Sequence, residues 1–167
     1  MGKILTEDLV NQLNLKFGEQ VVLMTELSDL PNFQASREQI NDVLSYLKTD
    51  PALKFNFLTD ITGVHYPDRE AQLCVVYHLH SFINNTRIRV KVFLNEGNVH
   101  IPTATDLWNG ANWMERETYD YFGIEFDGHP DLRRILNVDD MVAFPMRKEF
   151  PLEDPNRVDK KDYFFGR

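Results

Sequence analysis

Three consecutive charges, Glu115-Arg116-Glu117, lie inside the aromatic run from Trp113 to Gly123, with Asp120 just beyond them. Paired carboxylates are the natural groups for acid–base chemistry, but two residues apart on a helix they diverge by roughly 160° and do not flank one bond. That disfavours a hydrolase. His78 and His80 point to one side of a strand and would supply half of a metal site, with a third ligand still to come from His65, His100 or His129. Such a pair is more often a surface or partly buried feature than a metal centre, which needs three or four converging ligands. Cys74 is the single cysteine. It excludes an intrachain disulfide and a cluster held by four local thiolates, and its apolar strand suits an inert buried thiol. The chain contains no glycine-rich phosphate loop, no Gly-x-Ser-x-Gly elbow and no dinucleotide fingerprint.

The charged run must be positioned by a helix that opens near Thr105 or Asp106, both good capping residues, and closes at Gly123. At about 100° per residue, Trp108, Ala111, Glu115, Thr118, Tyr119 and Phe122 share one face. Glu115 therefore sits in an apolar stripe. An unpaired carboxylate there would cost several kcal/mol, so a cation is expected, with Arg133 and Arg134 the nearest. On that pairing, Glu115→Gln would cost about 3–5 kcal/mol by stranding the cation. Arg116 and Asp120 are spaced i,i+4, a pair worth only about 0.2–0.5 kcal/mol on an exposed helix. Arg133-Arg134 and Arg147-Lys148 fall in a proline-bounded segment, to pair with the helix carboxylates or to reach a partner. A helix apolar nearly all round is covered by its own domain on one side and by a partner on another.

The surrounding pattern is α+β. A short helix follows Thr6, a strand is expected at 21–24, and Ser36 caps a second helix whose stripe is Ile40, Val43, Leu44 and Leu47. Strand signals follow at 55–67, closed by Gly63 and Pro67, and at 73–80 and 87–94, the last two joined by a hairpin through Asn84-Asn85. Alternation of Leu73, Val75, Tyr77 and Leu79 with Cys74, Val76, His78 and His80 predicts a mixed, largely antiparallel sheet with helices mainly on one face. On its other face, Arg87, Arg89 and Lys91 form a stripe expected to be solvated, or else to dock an acidic neighbour. Residues 1–143 make one domain, and 144–167 an extended arm ending in Tyr163-Phe164-Phe165, which calls for something to bury it. With 26 acidic against 18 basic side chains and a formal charge of -8, nucleic acid is excluded as a principal partner. The start of the chain lacks a secretory pattern, and no stretch reaches the roughly 18 apolar residues of a membrane span.

The stretch from Glu115 to Leu136 resembles the signature of the C-subunit family of respiratory complex I, the proton-translocating NADH:quinone oxidoreductase. Glu115, Arg116, Glu117, Asp120, Tyr121, Phe122, His129, Arg133, Ile135 and Leu136 meet its constrained positions. The segments 57–67, 102–117 and 144–152 are also similar to that family, with a departure at Ala143-Phe144, where the family pattern has glycine and another bulky residue. The resemblance implies a cofactor-free subunit of the complex's peripheral arm, on the cytoplasmic face of a bacterial inner membrane. Iron–sulfur clusters, FMN and quinone would be bound by other subunits. Its partners would be the large quinone-pocket subunit and the terminal-cluster subunit. The role implied is structural, supporting electron transfer from NADH to quinone and proton pumping, with no catalytic residue of its own. Glu115, Arg116, Glu117, Asp120, His129, Arg133, Arg134, Arg147 and Lys148 would form the interface or ion-pair network, with His129 fixing the turn around it. An equivalent subunit of a membrane-bound hydrogenase or related dehydrogenase is the alternative within that resemblance. A free-standing adaptor or a metal-dependent enzyme is the alternative outside it.

Overall fold

Alternating apolar residues at 73–79 and 88–94 build the two central strands of a sheet, and their registered pairs, Val75 with Val92 and Tyr77 with Val90, bury one face together. The computed structural model describes residues 6–24 and 30–150. Its elements are α1 (Thr6–Phe17), β1 (Val21–Leu23), β2 (Asn32–Ala35), α2 (Ile40–Thr49), β3 (Phe57–His65), β4 (Leu73–Ser81), β5 (Thr86–Leu94), β6 (His100–Pro102), α3 (Ala111–Phe122) and β7 (Glu125–Asp127). The five-stranded sheet has the order β1-β2-β5-β4-β3, antiparallel except between β2 and β5. This is the α+β architecture expected, and the arm's boundary aside, the described elements form one core.

That core joins Leu9 and Leu13 of α1, Ile40, Val43, Leu44 and Leu47 of α2, and Ala111 and Phe122 of α3 to the inner face of the sheet. Tyr77, fully buried at its centre, is among the largest enclosed side chains. The β4–β5 hairpin turns at Asn85 with φ of 46°. Asn84 Nδ2 ties it down by donating to the carbonyls of Ala52 and Leu53, 2.8 Å each. One expectation changes at the second helix. Ser36 precedes a 3-10 turn, Arg37–Gln39, and makes no capping bond; α2 proper begins at Ile40.

Helix α3 lies on β3 because Gly63 leaves room for it. A Cβ built at Gly63 would come within 2.5 Å of the Phe122 ring. Overpacking of this kind costs typically about 1–3 kcal/mol, so Gly63→Ala should lose that much in urea unfolding; an unchanged midpoint would show that α3 slides freely.

The outer face of the sheet departs from a solvated stripe. Arg87 is exposed, but Cys74, Val76 and Lys91 are buried, and Arg89 Nε donates to His78 Nε2 at 2.9 Å. Aromatic neighbours account for part of the cover. The Tyr66 and Phe93 rings are 6.1 Å apart with the Arg69 guanidinium over both, and His80 and Phe57 pack on Phe82. Strands β6 and β7 form a separate parallel pair. At three residues each they are too short to carry a period. None of the described helices is long and apolar enough to cross a membrane.

Candidate functional site

The site is built around α3. Its start is later than Thr105 or Asp106, because residues 104–110 form a tight turn first: the Leu107 and Trp108 amides both donate to Ala104 O at 3.0 Å. Trp108 Nε1 donates to Asn56 O at 3.0 Å, and Asn41 of α2 donates to Thr103 O at 3.0 Å, anchoring this turn to the core. Gly123 ends the helix in the left-handed region, φ 67°, with its amide donating to Tyr119 O. A side chain there would also meet the Phe144 ring.

Glu115 is fully buried, and its partners correct the expected ion pair. Its carboxyl accepts the Thr103 hydroxyl at 2.5 Å and the Ala104 amide at 2.6 Å, and neither Arg133 nor Arg134 reaches it. The turn that delays the helix is what brings these donors in. Burial pushes the Glu115 carboxyl up, against the pull of Thr103 and Ala104, to about 7. Tyr77, facing the same interior, is raised well above its ordinary value by burial first and by the Glu115 charge second.

The buried cation belongs to Asp120. Arg134 Nη1 lies 2.7 Å from Asp120 Oδ1, both side chains nearly enclosed at 8% and 0% exposure. Asp120 Oδ2 accepts the successive amides of Ile135, Leu136 and Asn137 at 3.1, 2.8 and 2.9 Å, and Asn137 Nδ2 donates to Oδ1. Burial alone would raise this carboxyl; the amides of Asn137 and Leu136, with Arg134 and the Asn137 side chain, outweigh it and hold Asp120 well below the usual carboxylate range. Successive amides converging on one oxygen form an anion nest filled by the protein's own aspartate.

The other charges tie the segment after β7 to the same helix. Arg116, nearly buried, donates to Arg133 O and Arg134 O rather than pairing with Asp120. Arg134 Nη2 donates to the carbonyls of Met141 and Ala143. Arg147 donates to Phe122 O at 2.7 Å, and the Met146 amide to Tyr121 O. Both Arg134 and Arg147 lie over the Phe144 ring, at 5.1 and 5.0 Å. Residues 144–150 are thereby strapped onto α3, while 151–167, the rest of the expected arm, lie outside the described residues. His129 accepts the Asp131 amide on Nδ1 and presents Nε2 to Asn112 O, joining the turn after β7 to the first turn of α3. Arg133, exposed, pairs with exposed Asp131. Lys148 contributes its backbone amide, donated to His65 Nδ1. Glu117 is exposed, with no partner among the described residues.

Thr103, Ala104 and Asn137 were absent from the expected set. The first two stood in the TAT turn before the helix, a usable signal once the helix start is moved; nothing in the sequence marks Asn137. His78 lies by Arg89 and Asp60, and His80 by Phe82. Among the described residues, no group of three or more His, Cys, Asp or Glu side chains is arranged to hold a metal.

Fold and site together define a class: an α+β protein whose charged helix organises an irregular strap through buried carboxylates and arginines. Residues 33–156 match the model of the family described as the respiratory-chain NADH dehydrogenase 30 Kd subunit, and the chain belongs to that family. It is 45% identical over 148 residues to the NADH-quinone oxidoreductase C-subunit of Citrifermentans bemidjiense, covering 89% of this chain and 91% of that one. With a C-subunit of the same enzyme from Rhizobium meliloti it shares 46% identity over 137 residues, 81% and 74% of the two chains. The trypsin-resistant fragment of Nqo5 superposes with a TM-score of 0.64 at 35% identity, covering 77% of this chain and all of that one. A chain of an archaeal membrane-bound sulfane sulfur reductase shares the fold, with a TM-score of 0.73 at 24% identity over 93% and 96% of the two chains.

Proposed function

We propose that this chain is a cofactor-free, non-catalytic subunit of the peripheral arm of a proton-translocating NADH:quinone oxidoreductase, held on the cytoplasmic face of the membrane by its neighbours. The observation that carries the reading is the commitment of the enclosed charges on and around α3. Glu115, Arg116, Asp120, Arg134 and Arg147 each bind backbone or side-chain atoms of this chain, in a clasp that shapes a surface. The large quinone-pocket subunit and the terminal-cluster subunit are the expected neighbours, and residues 144–167 the segment that reaches them. With a single cysteine, clusters of the assembled enzyme fall to other subunits. Affinity purification of the tagged full chain from detergent-solubilised membranes should bring down both neighbours together with NADH-oxidising subunits. Recovery with hydrogenase subunits, or as an isolated chain, would overturn the reading.

A further inference from the structure

The outward side of α3 carries the most telling exposed side chain in the protein. Trp113 is 60% exposed on a helix whose other faces are buried. Its support is rigid: the Arg116 guanidinium lies 5.3 Å from the indole, and Arg116 is only 7% exposed and bonded to the carbonyls of Arg133 and Arg134. Glu117, one turn further along the same side, is an exposed carboxylate with no partner among the described residues. Beside Trp113 opens a cleft of about 490 Å³ lined also by Thr105, Asp106, Asn109, Asn112 and Pro130. Leu136, 60% exposed, lies two residues beyond Arg134, whose carbonyl Arg116 binds.

We propose that Trp113 and Glu117 anchor an interface with a different protein subunit, one that offers an apolar slot for the indole and a lysine or arginine for the carboxylate. This rests on the assembly reading above and names the surface and chemistry it would use. A preorganised tryptophan loses little side-chain entropy on burial, and tryptophan is enriched among residues that dominate interfaces. The acids beside it select the occupant. A second copy docking by two-fold symmetry would bring this acid-bearing patch against the identical patch of its mate. A membrane surface carries anionic lipid, which repels them. A basic-rimmed subunit satisfies both the apolar and the charged halves of the site.

The test uses the tagged full chain expressed in its own host, as wild type, Trp113→Ala and Glu117→Lys, with a benzophenone photocrosslinker placed at position 113 in a fourth version. Both side chains are exposed, so the melting temperatures should match wild type. Recovery of the other respiratory subunits from solubilised membranes should fall at least roughly tenfold for each variant. The crosslink should reach one other subunit, in a peptide containing lysine or arginine. Wild-type recovery by both variants, or crosslinking only to lipid, to a second copy or within the chain, would overturn the surface assignment while the assembly reading stood. If wild type itself brought down no respiratory subunit, the assembly reading would fail, and this proposal with it.

Discussion

Asp120→Asn should lower the unfolding free energy by about 3–5 kcal/mol, the scale for breaking a buried ion pair and stranding one partner. The stranded group is Arg134, 8% exposed. An asparagine also turns one acceptor into an amide that faces either Arg134 or the amides of residues 135–137, so no rotamer satisfies all of them. At about 2–4 °C per kcal/mol for a chain of this size, the melting temperature should drop by roughly 6–20 °C. Amide exchange at 135–137 should accelerate with it. A loss below about 1 kcal/mol in urea unfolding would show that the nest holds without its anion. The sign with pH is set by the lowered carboxyl. Asp120's contribution is fully present above its ordinary value of 3.8 and is lost progressively as pH falls from there through its folded value below the usual carboxylate range.

Glu115 should give the opposite profile. Its folded value of about 7 exceeds the ordinary 4.5. Between these the folded chain keeps a proton that the unfolded chain releases, so stability contributed by Glu115 falls as pH rises through this window and levels off above it. The difference corresponds to about 3 kcal/mol at about 1.36 kcal/mol per pH unit. Glu115→Gln should remove that slope. Its carbonyl oxygen still accepts the Ala104 amide, its NH2 group donates to the Thr103 hydroxyl, and no cation is stranded. The variant should therefore match wild type near pH 5 and exceed it near pH 8, in urea titrations across that range. Parallel pH profiles for the two proteins would show that Glu115 titrates at its ordinary value in the fold.

Much of the frame was readable from periodicity, and the reasons for the misses are local. The helical stripe of α2 and the alternation of β4 and β5 are clear because each presents a regular row of apolar residues to the core, and Gly123 marks a helix end because only glycine takes its backbone angles without strain. The start of α3 was misplaced because Thr105 and Asp106 have capping chemistry, yet a turn around Ala104 came first. That one displacement hid the donors of Glu115 and led to the wrong cation. The charge pattern could show that α3 needed buried partners but not how they were divided. The choice between Glu115 and Asp120 for Arg134 depends on where an irregular segment lies. No period encodes that. The outer sheet face was misjudged because alternation reports residue type, while Lys91 shows that a charged stem can be enclosed on the polar side.

The sheet order has a consequence in time. Strands β3, β4 and β5 form a continuous antiparallel meander of local contacts, whereas β2 pairs in parallel with β5, from which it is separated by α2 and two strands. Loop closure of that length is slow compared with hairpin formation. During synthesis at about 5–20 residues per second, β2 leaves the ribosome roughly 3–10 s before β5 exists to receive it. Residues β1 through α2 must therefore wait with Phe33 and the α2 stripe unburied, and the meander is the template on which they condense.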